Sequence, residues 1–295
     1  PMGGVRLAVM VALVAGGAGC DGAGARGAGA SPGAGPGAAL AEDSGYIAAE
    51  DGVRLFYRTV GDGAQDVVVP GALYVEDGLR RLAGPGRRLV FYDPRGRGRS
   101  EAGDRSRITL ERQHADLEAI RRGLGIERMT VIGWSGMGME TAVYALRHPD
   151  RVTRLVQVAP VAARDEPHNA LAYRTRAERT DTAALAEVRA RRARGELEGP
   201  GEYCRAMRRV TGPAGFADPA SMAEAPDVCR FPNEHPDSLA EIWPALLGSF
   251  AGYDWREAIA ALPVPRLVIH GAADAFPVEG SREWVPKGSN ARLLV

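Results

Sequence analysis

Short apolar runs typical of β-strands alternate with segments of helical spacing along most of this 295-residue chain. Strands that alternate with helices pair in a parallel sheet, and the connecting helices cover both faces of that sheet. The sequence therefore predicts an α/β fold. The predicted strands are residues 53–57, 66–69, 88–92, 129–132, 155–158, 266–270 and 291–295, and the predicted helices between them include 109–124 and 136–147.

The alternation stops between residues 162 and 254. An arginine-rich helical stretch, 171–194, is followed there by segments rich in glycine and proline that show no clear strand pattern. Open α/β sheets bind ligands at the carboxyl ends of their strands. We therefore expect residues 162–254 to form a helical cap over that edge of a sheet built from residues 44–161 and 255–295.

The first 20 residues have the pattern of an export signal. One positive charge, at Arg6, precedes the apolar run 7–14 and small residues up to Cys20, and this run is too short to span a bilayer as a helix. The segment 14–20 resembles a bacterial lipobox, which implies lipidation of Cys20, and ordinary signal cleavage is the alternative. We expect an exported protein, held in the periplasm or at the cell envelope as a lipoprotein, or alternatively secreted.

Residues 21–43 consist largely of glycine and alanine and are predicted to form a flexible linker, because they have little side chain to bury. The remaining cysteines, Cys204 and Cys229, form a disulfide or remain two buried thiols. Their spacing is not that of a zinc site. The 37 basic and 37 acidic residues balance, and acidic residues are mixed among the arginines of the cap, which argues against a nucleic-acid partner.

A serine stands between a predicted strand and a predicted helix. Strand 129–132 leads through Gly133 and Trp134 to Ser135, and the helix begins at Gly136. A tight turn at such a junction pushes the serine hydroxyl out above the sheet, beside a helix amino end that favours developing negative charge. Glycine at 133 lets the turn close without a side-chain clash.

Three motifs in this order resemble the α/β-hydrolase superfamily. They are the loop 91–100, FYDPRGRGRS, the turn around Ser135, and the segment 147–152, RHPDRV. More narrowly, the chain is similar to the capped serine esterases and the proline iminopeptidases. The resemblance covers about residues 45–161 and 258–295 and leaves the cap unmatched. It implies an α/β-hydrolase fold, with a mostly parallel sheet, helices on both faces and a helical cap insertion.

The resemblance makes Ser135 the catalytic nucleophile. It implies Asp274, in the loop after strand 266–270, as the acid that orients a histidine base, with Asp165 as the alternative acid. It also implies an oxyanion hole formed by the backbone N–H groups of Ala72 and Gly136.

Two positions depart from the family pattern. Pro70 stands in the predicted oxyanion loop where the family commonly has histidine, and Met137 stands where it usually has glycine or alanine. A long side chain at position 137 crowds the neighbouring strand, so the turn must open or Met137 must point into the pocket.

The catalytic histidine of the superfamily follows the last sheet strand, and no histidine follows Asp274 in this sequence. The histidines that it contains are interpreted as surface or packing residues. We therefore expect the natural protein to continue beyond residue 295 with at least one loop that carries the histidine and a final helix. The 295-residue chain is expected to hydrolyse its substrate poorly or not at all. The five histidines are His114, His148, His168, His235 and His270.

The resemblance thus implies an exported serine hydrolase that cleaves a carboxylic ester, or a small amide, through an acyl-enzyme. The predicted partners are a small ester or peptide substrate and, only through Cys20, the membrane; neither a metal nor an organic cofactor is implied. One alternative is an aminopeptidase similar to the proline iminopeptidases, with Glu178 or Glu202 of the cap binding the substrate amine. The other is a catalytically inactive binding protein on the same scaffold.

Overall fold

The computed structural model describes residues 40–295, and a single mixed sheet runs through this part of the chain. Its strands are β1 Glu42–Ala48, β2 Arg54–Val60, β3 Gln65–Pro70, β4 Arg87–Tyr92, β5 Met129–Trp134, β6 Val152–Val158, β7 Arg266–Ile269 and β8 Ala291–Leu294. Their order across the sheet is β1-β2-β4-β3-β5-β6-β7-β8. The pairs β1–β2 and β2–β4 are antiparallel, and every other pair is parallel. The predicted α/β-hydrolase fold has this mostly parallel arrangement.

Helices connect the strands and fill the insertion. The α-helices are α1 Ala72–Leu79, α2 Leu110–Gly123, α3 Gly136–Arg147, α4 His168–Glu178, α5 Thr182–Ala193, α6 Glu202–Thr211, α7 Pro236–Gly248, α8 Arg256–Ala261 and α9 Val278–Arg282. Short 3-10 helices lie at Arg80–Leu82, Arg105–Arg107, Pro213–Gly215, Pro219–Glu224, Val228–Arg230 and Pro232–Glu234.

Two apolar clusters lie on opposite faces of the sheet. Val68 and Val131 belong to the larger cluster, with side chains of α2, α3 and α8, whereas their chain neighbours Val67 and Ile132 belong to the smaller cluster beneath α1. Successive side chains of a strand point to opposite faces. The central strands are therefore apolar on both sides, as expected for a sheet covered by helices on both faces.

The insertion contacts the core at the carboxyl end of β4. The side-chain amide of Asn233 donates to the backbone carbonyls of Gly98 and Ser100, at 3.1 and 2.8 Å. The two ends of the insertion lie side by side, since the Asp165 N–H donates to the Tyr253 carbonyl at 2.9 Å. A disulfide joins Cys204 of α6 to Cys229, with the two Cα atoms 5.6 Å apart. No α-helix within residues 40–295 is both long enough and apolar enough to cross a membrane.

Three predictions about local structure differ from the structure. The linker was predicted to reach residue 43, but β1 begins at Glu42, where it pairs with Val60 of β2. This edge strand is mostly exposed, so it lacks the apolar run that would mark it in the sequence.

The helical stretch 171–194 is divided into α4 and α5, because the Asp181 carboxylate caps α5 by accepting the Ala184 N–H. The predicted oxyanion loop continues at once into helix α1. The predicted export signal, Cys20 and linker residues 21–39 lie outside the described residues.

Candidate active site

Ser135 occupies the sharp turn between β5 and α3. Its φ of 55° and ψ of −125° form a combination that residues with a Cβ rarely adopt. Hydrogen bonds hold the turn closed: the Ser135 N–H donates to the Val158 carbonyl and the Gly138 N–H donates to the Ser135 carbonyl, both at 3.0 Å. The residue remains partly exposed. Strain of this kind is typical of a serine nucleophile at a strand-to-helix turn.

Glycines give this turn the space that it needs. A Cβ at Gly133 would press against the Met137 carbonyl oxygen and the Thr141 hydroxyl, and would lie 2.8 Å from the Gly138 Cα. A Cβ at Gly138 would lie 3.1 Å from Pro160, which follows β6. A Cβ at Gly136, by contrast, would meet no atom within 4 Å. The glycine before Ser135 is therefore required by sterics, and the glycine after it is not.

The two predicted oxyanion donors occupy the first positions of two helices. Ala72 begins α1 directly after Gly71, whose φ is 74°, and Gly136 begins α3. The N–H groups of a first helical turn have no carbonyl partner within their helix. Because β3 and β5 are adjacent and parallel, both helix starts lie at the same edge of the sheet. The structure thus brings the predicted donors to the edge that carries Ser135.

Met137 crosses from α3 to the loop after β3. A Cβ at Gly71 would press against the Met137 sulfur and lie 2.8 Å from its terminal methyl carbon. The long side chain therefore occupies the space that glycine leaves free at position 71. The hydrogen bonds around Ser135 remain intact. Of the two outcomes expected from the sequence, the turn does not open, and Met137 points toward the predicted oxyanion loop.

Asp274 lies in the turn after β7. Its backbone N–H donates to the Gly271 carbonyl at 3.0 Å, and its Oδ1 accepts the Phe276 N–H at 2.9 Å. Only β6 separates β7 from β5, and the three strands are parallel. At about 4.8 Å per strand, the carboxyl ends of β5 and β7 are roughly 10 Å apart. Ser135 and Asp274 thus follow two strands that end at the same edge of the sheet, with one strand between them.

His270 holds the loop that carries Asp274. Its ring is buried, with Nδ1 at 2.8 Å from the Ser281 hydroxyl and Nε2 at 3.0 Å from the Phe276 carbonyl. Both ring nitrogens are thus engaged. His270 therefore holds the loop that carries Asp274, and neither ring nitrogen is free to act as a base.

The other histidines have partners away from Ser135. His114 lies with Nε2 at 2.9 Å from the Glu140 carbonyl and Nδ1 at 3.2 Å from the Arg147 guanidinium, and burial lowers its pKa to about 4. His148 contacts Tyr144, His168 contacts Glu283, and His235 contacts the Cys229 carbonyl. Within residues 40–295, no histidine forms a hydrogen bond with Ser135 or Asp274.

Two of the three alternative site residues, Asp165 and Glu202, have structural partners. The Asp165 carboxylate accepts the Gly252 N–H at 2.8 Å and so links the two ends of the insertion. Glu178 and Glu202 are exposed, and the Glu202 carboxylate accepts the Gly199 N–H at 3.1 Å. The structure therefore gives these three carboxylates no contact with Ser135.

A polar cluster formed by Tyr74, Arg97 and Glu234 was not predicted from the sequence. The ring of Trp134, which precedes Ser135 and is 39% exposed, lies 5.6 Å from the ring of Tyr74. The Tyr74 hydroxyl donates to the Glu234 carboxylate at 2.5 Å and accepts from Arg97 at 2.8 Å. Burial raises the pKa of Tyr74 to about 12, so the phenol stays protonated as a donor.

Arg97 and Glu234 join the core to the cap in this cluster. Two hydrogen bonds, at 3.0 and 2.8 Å, connect the guanidinium to the carboxylate. Burial alone would raise the pKa of Glu234, but the hydrogen bonds from Arg97 lower it, so the carboxylate is ionised. The two residues lie 137 positions apart, and no sequence pattern links them. Glycines flanking Arg97 mark a turn but carry no information about its partner.

Other residues of the loop 91–100 form hydrogen bonds with α2 and β2 of the core. Arg95 makes two hydrogen bonds to the buried Asp116 carboxylate of α2, at 2.6 and 2.5 Å. The Ser100 hydroxyl accepts the Phe56 N–H at 2.8 Å. Burial raises the pKa of Asp93 to about 6, although its carboxylate accepts the Arg99 N–H at 2.9 Å. These contacts tie the loop to α2 and β2.

Glu140 lies on α3, on the same helix as the residues that follow Ser135. Burial raises its pKa to about 7, and the positive charge of Arg97 only partly opposes this shift. The folded protein therefore binds a proton at Glu140 more tightly than the unfolded chain does. Its stability falls as the pH rises from about 4.5, the ordinary value, to about 7.

We expect Glu140→Gln to stabilise the protein at pH 8 by about 1–3 kcal/mol, because the amide avoids the cost of burying a charge. At pH 4.5 the two proteins should unfold alike. Thermal melts at both pH values measure the difference, and Glu127→Gln, an exposed change on the α2–β5 loop, is the control. An equal gain at both pH values would contradict the raised pKa.

Comparison with known families identifies the fold. Residues 70–285 match the family model described as the alpha/beta hydrolase fold. The chain is similar to a proline iminopeptidase of Xylella fastidiosa, with 34% identity over 120 residues that cover 39% of this chain and 38% of that protein. It is also similar to serine hydrolase BPHL of Mus musculus, with 30% identity over 116 residues, 37% of this chain and 40% of that protein. The match thus spans only about two-fifths of the length of each relative.

Solved structures show the same fold over more of the chain. A hydrolase from Pseudomonas aeruginosa superimposes with a TM-score of 0.58 and 24% identity, over 85% of this chain and 89% of that chain. At this level of identity the likeness shows the fold alone.

Proposed function

This chain belongs to the α/β-hydrolase fold family, and we propose that it is a serine hydrolase that cleaves a carboxylic ester through an acyl-enzyme on Ser135. The observation that carries this proposal is the φ of 55° at Ser135. Such strain costs about 1–3 kcal/mol and persists where the surrounding structure enforces it. A protein that only binds a ligand does not need a strained backbone at this serine. The strain therefore favours a hydrolase over a catalytically inactive binding protein.

The proposed reaction uses groups at one edge of the sheet. The Ser135 hydroxyl attacks the ester carbonyl while an imidazole takes its proton, and the backbone N–H groups of Ala72 and Gly136 bind the oxyanion. The imidazole then returns the proton to the leaving alkoxide. Water, activated by the same imidazole, releases the acid and restores the serine.

We place the base after β8. This strand pairs in parallel with β7, and Leu294 lies opposite Ile269, so both strands end at the same edge of the sheet. A histidine in a segment that follows β8 would therefore emerge beside Asp274. Its ring could then accept the proton of Ser135 while Asp274 holds the opposite nitrogen.

The buried ion pair of Arg97 and Glu234 favours an ester over an amino-terminal amide. Arg97 and Glu234 neutralise each other, and aromatic rings of Tyr74 and Trp243 lie against the guanidinium, with both centroids at 5.6 Å. Because the pair is buried and its charges cancel, Glu234 is not free to bind a substrate amine. The second candidate, a proline iminopeptidase-like activity, is supported by the similarity to the Xylella fastidiosa protein.

An assay with two substrates tests the proposal. We expect a protein that includes any residues its gene encodes after Val295 to hydrolyse 4-nitrophenyl acetate, with at least ~10-fold lower kcat/KM for proline 4-nitroanilide. The reverse preference would favour the iminopeptidase. Hydrolysis of neither substrate would contradict the proposed function.

We also propose export, with Cys20 as the lipid attachment site. The disulfide between Cys204 and Cys229 supports this proposal, because such bonds persist in oxidising compartments.

A further inference from the structure

Helix α1 depends on contacts outside itself to hold its first turn. It has eight residues, Ala72–Leu79, and includes Gly78, and so short a helix is marginal in water on its own. Gly71, which precedes it, has no side chain that could accept an N–H group of the first turn. The proposed oxyanion donor, the Ala72 N–H, belongs to this uncapped turn. Its position therefore depends on the groups that hold the turn from outside.

Two backbone hydrogen bonds hold the chain on either side of Ala72. The Gly71 N–H donates to the Tyr92 carbonyl, at the end of β4, at 2.9 Å. The Tyr74 N–H donates to the Gly71 carbonyl at 3.0 Å. The first bond attaches the start of the turn to the sheet. The second closes the turn on itself, so it does not attach the far side of the turn to any other segment.

The Tyr74 side chain attaches the far side of this turn to the cap. Its hydroxyl donates to the Glu234 carboxylate at 2.5 Å and accepts from Arg97 at 2.8 Å. Its ring lies 5.6 Å from the ring of Trp134, the residue before Ser135. One tyrosine of the first turn thus contacts the cap, the loop 91–100 and the end of β5.

Glu234 gives Tyr74 a firmly held partner. Its side chain is fully buried, and its carboxylate accepts two hydrogen bonds from Arg97, at 3.0 and 2.8 Å, and one from the Gly98 N–H, at 3.0 Å. The amide of the adjacent Asn233 donates to the Gly98 carbonyl at 3.1 Å. Hydrogen bonds to a charged acceptor are strong and fix its orientation. The position of the Tyr74 hydroxyl is therefore set by the contact between cap and core.

We propose that Glu234 of the cap, through the Tyr74 hydroxyl, holds the first turn of α1 where the Ala72 N–H can bind the oxyanion. Tyr74 is then a positioning residue, and the cap contributes to the placement of an oxyanion donor. This inference rests on the proposed hydrolase function. Oxyanion donors act only when they lie close to the developing charge, and a displacement of about 1 Å can lower a rate by ~10²-fold.

Hydrolysis of 4-nitrophenyl acetate by Tyr74→Phe tests this inference. Phenylalanine keeps the ring beside Trp134 and removes only the hydroxyl. In a protein that includes any residues its gene encodes after Val295, we expect kcat to fall at least ~10-fold with little change in KM. Tyr57→Phe is the matched control, because it removes a hydroxyl that donates to the Asp43 carboxylate at 3.0 Å, between β2 and β1. Its kcat should equal that of the unchanged protein.

Amide hydrogen exchange adds a measurement that does not require hydrolysis. In the 295-residue chain, the amides of residues 74–76 should exchange about 3- to 10-fold faster in Tyr74→Phe than in the unchanged protein. Tyr57→Phe should leave their exchange unchanged. Glu234→Gln is the second variant of the cluster, and it should lower kcat and speed this exchange in the same direction. Circular dichroism of each variant establishes that it is folded.

The outcomes separate this inference from the proposed function. An unchanged kcat in both Tyr74→Phe and Glu234→Gln would overturn the inference and leave the proposed function standing. Equal losses of kcat in Tyr74→Phe and Tyr57→Phe would overturn it too, as would unchanged exchange of residues 74–76 in both cluster variants. Absence of ester hydrolysis by the unchanged protein would instead contradict the proposed function, and with it the catalytic part of this inference.

Discussion

Replacing Ser135 with alanine is expected to lower ester hydrolysis by at least ~10⁴-fold while leaving the fold intact. Alanine removes the hydroxyl that attacks the carbonyl but keeps the backbone hydrogen bonds of Ser135 to Val158 and Gly138. The oxyanion donors and the binding surface also remain. The loss should therefore appear in kcat, with little change in KM.

The measurement is 4-nitrophenyl acetate hydrolysis by a protein that includes any residues its gene encodes after Val295. Ser106→Ala is the matched control, because Ser106 is exposed and hydrogen-bonds only to Asp104 of its own turn. A Ser135→Ala variant within ~10-fold of the unchanged protein would show that another group carries the reaction.

The two glycines beside Ser135 should respond to alanine in opposite ways. At Gly133 a Cβ would press against the Met137 carbonyl and the Thr141 hydroxyl, so we expect Gly133→Ala to lower the free energy of unfolding by about 2–4 kcal/mol. At Gly136 a Cβ meets nothing within 4 Å, and alanine favours the helix. Gly136→Ala should therefore raise the free energy of unfolding by about 0.5–1 kcal/mol.

Urea unfolding of the two variants measures this contrast. Gly136→Ala is the matched control, since it makes the same chemical change on the other side of Ser135, three residues after Gly133. Equal effects of the two substitutions would mean that the turn is looser than the contacts of Gly133 indicate.

The sheet was predictable because its signals are local. Each central strand is a short apolar run, since both of its faces are buried, as Val67 and Val68 show. The turn at Ser135 was predictable for the same reason: strand, glycine, serine and helix follow one another within a few residues. Helix α3 begins and ends where the sequence predicts.

Long-range pairing could not be predicted in the same way. The ion pair between Arg97 and Glu234 joins a core loop to the cap, and many other arginines and carboxylates in the sequence are equally eligible partners. The placement of Met137 also depends on another segment, because Gly71 leaves the space that its side chain fills. Such contacts depend on how separate segments pack and leave no periodic pattern.

The edge strand and the cap were predicted least well. β1 is largely exposed, so hydrogen bonds to β2 and not an apolar pattern hold it in the sheet. Much of the cap consists of short 3-10 turns, and a disulfide links two of its segments. Residues that hold one another in this way show little hydrophobic periodicity.

Peptide mapping after treatment with a fluorophosphonate probe tests the role of Ser135 most directly. In a protein that includes any residues its gene encodes after Val295, the phosphonyl adduct is expected on the peptide that contains Ser135, and Ser135→Ala should carry none. An adduct on a different residue, or equal labelling of the Ser135→Ala variant, would contradict the assignment of Ser135 as the nucleophile.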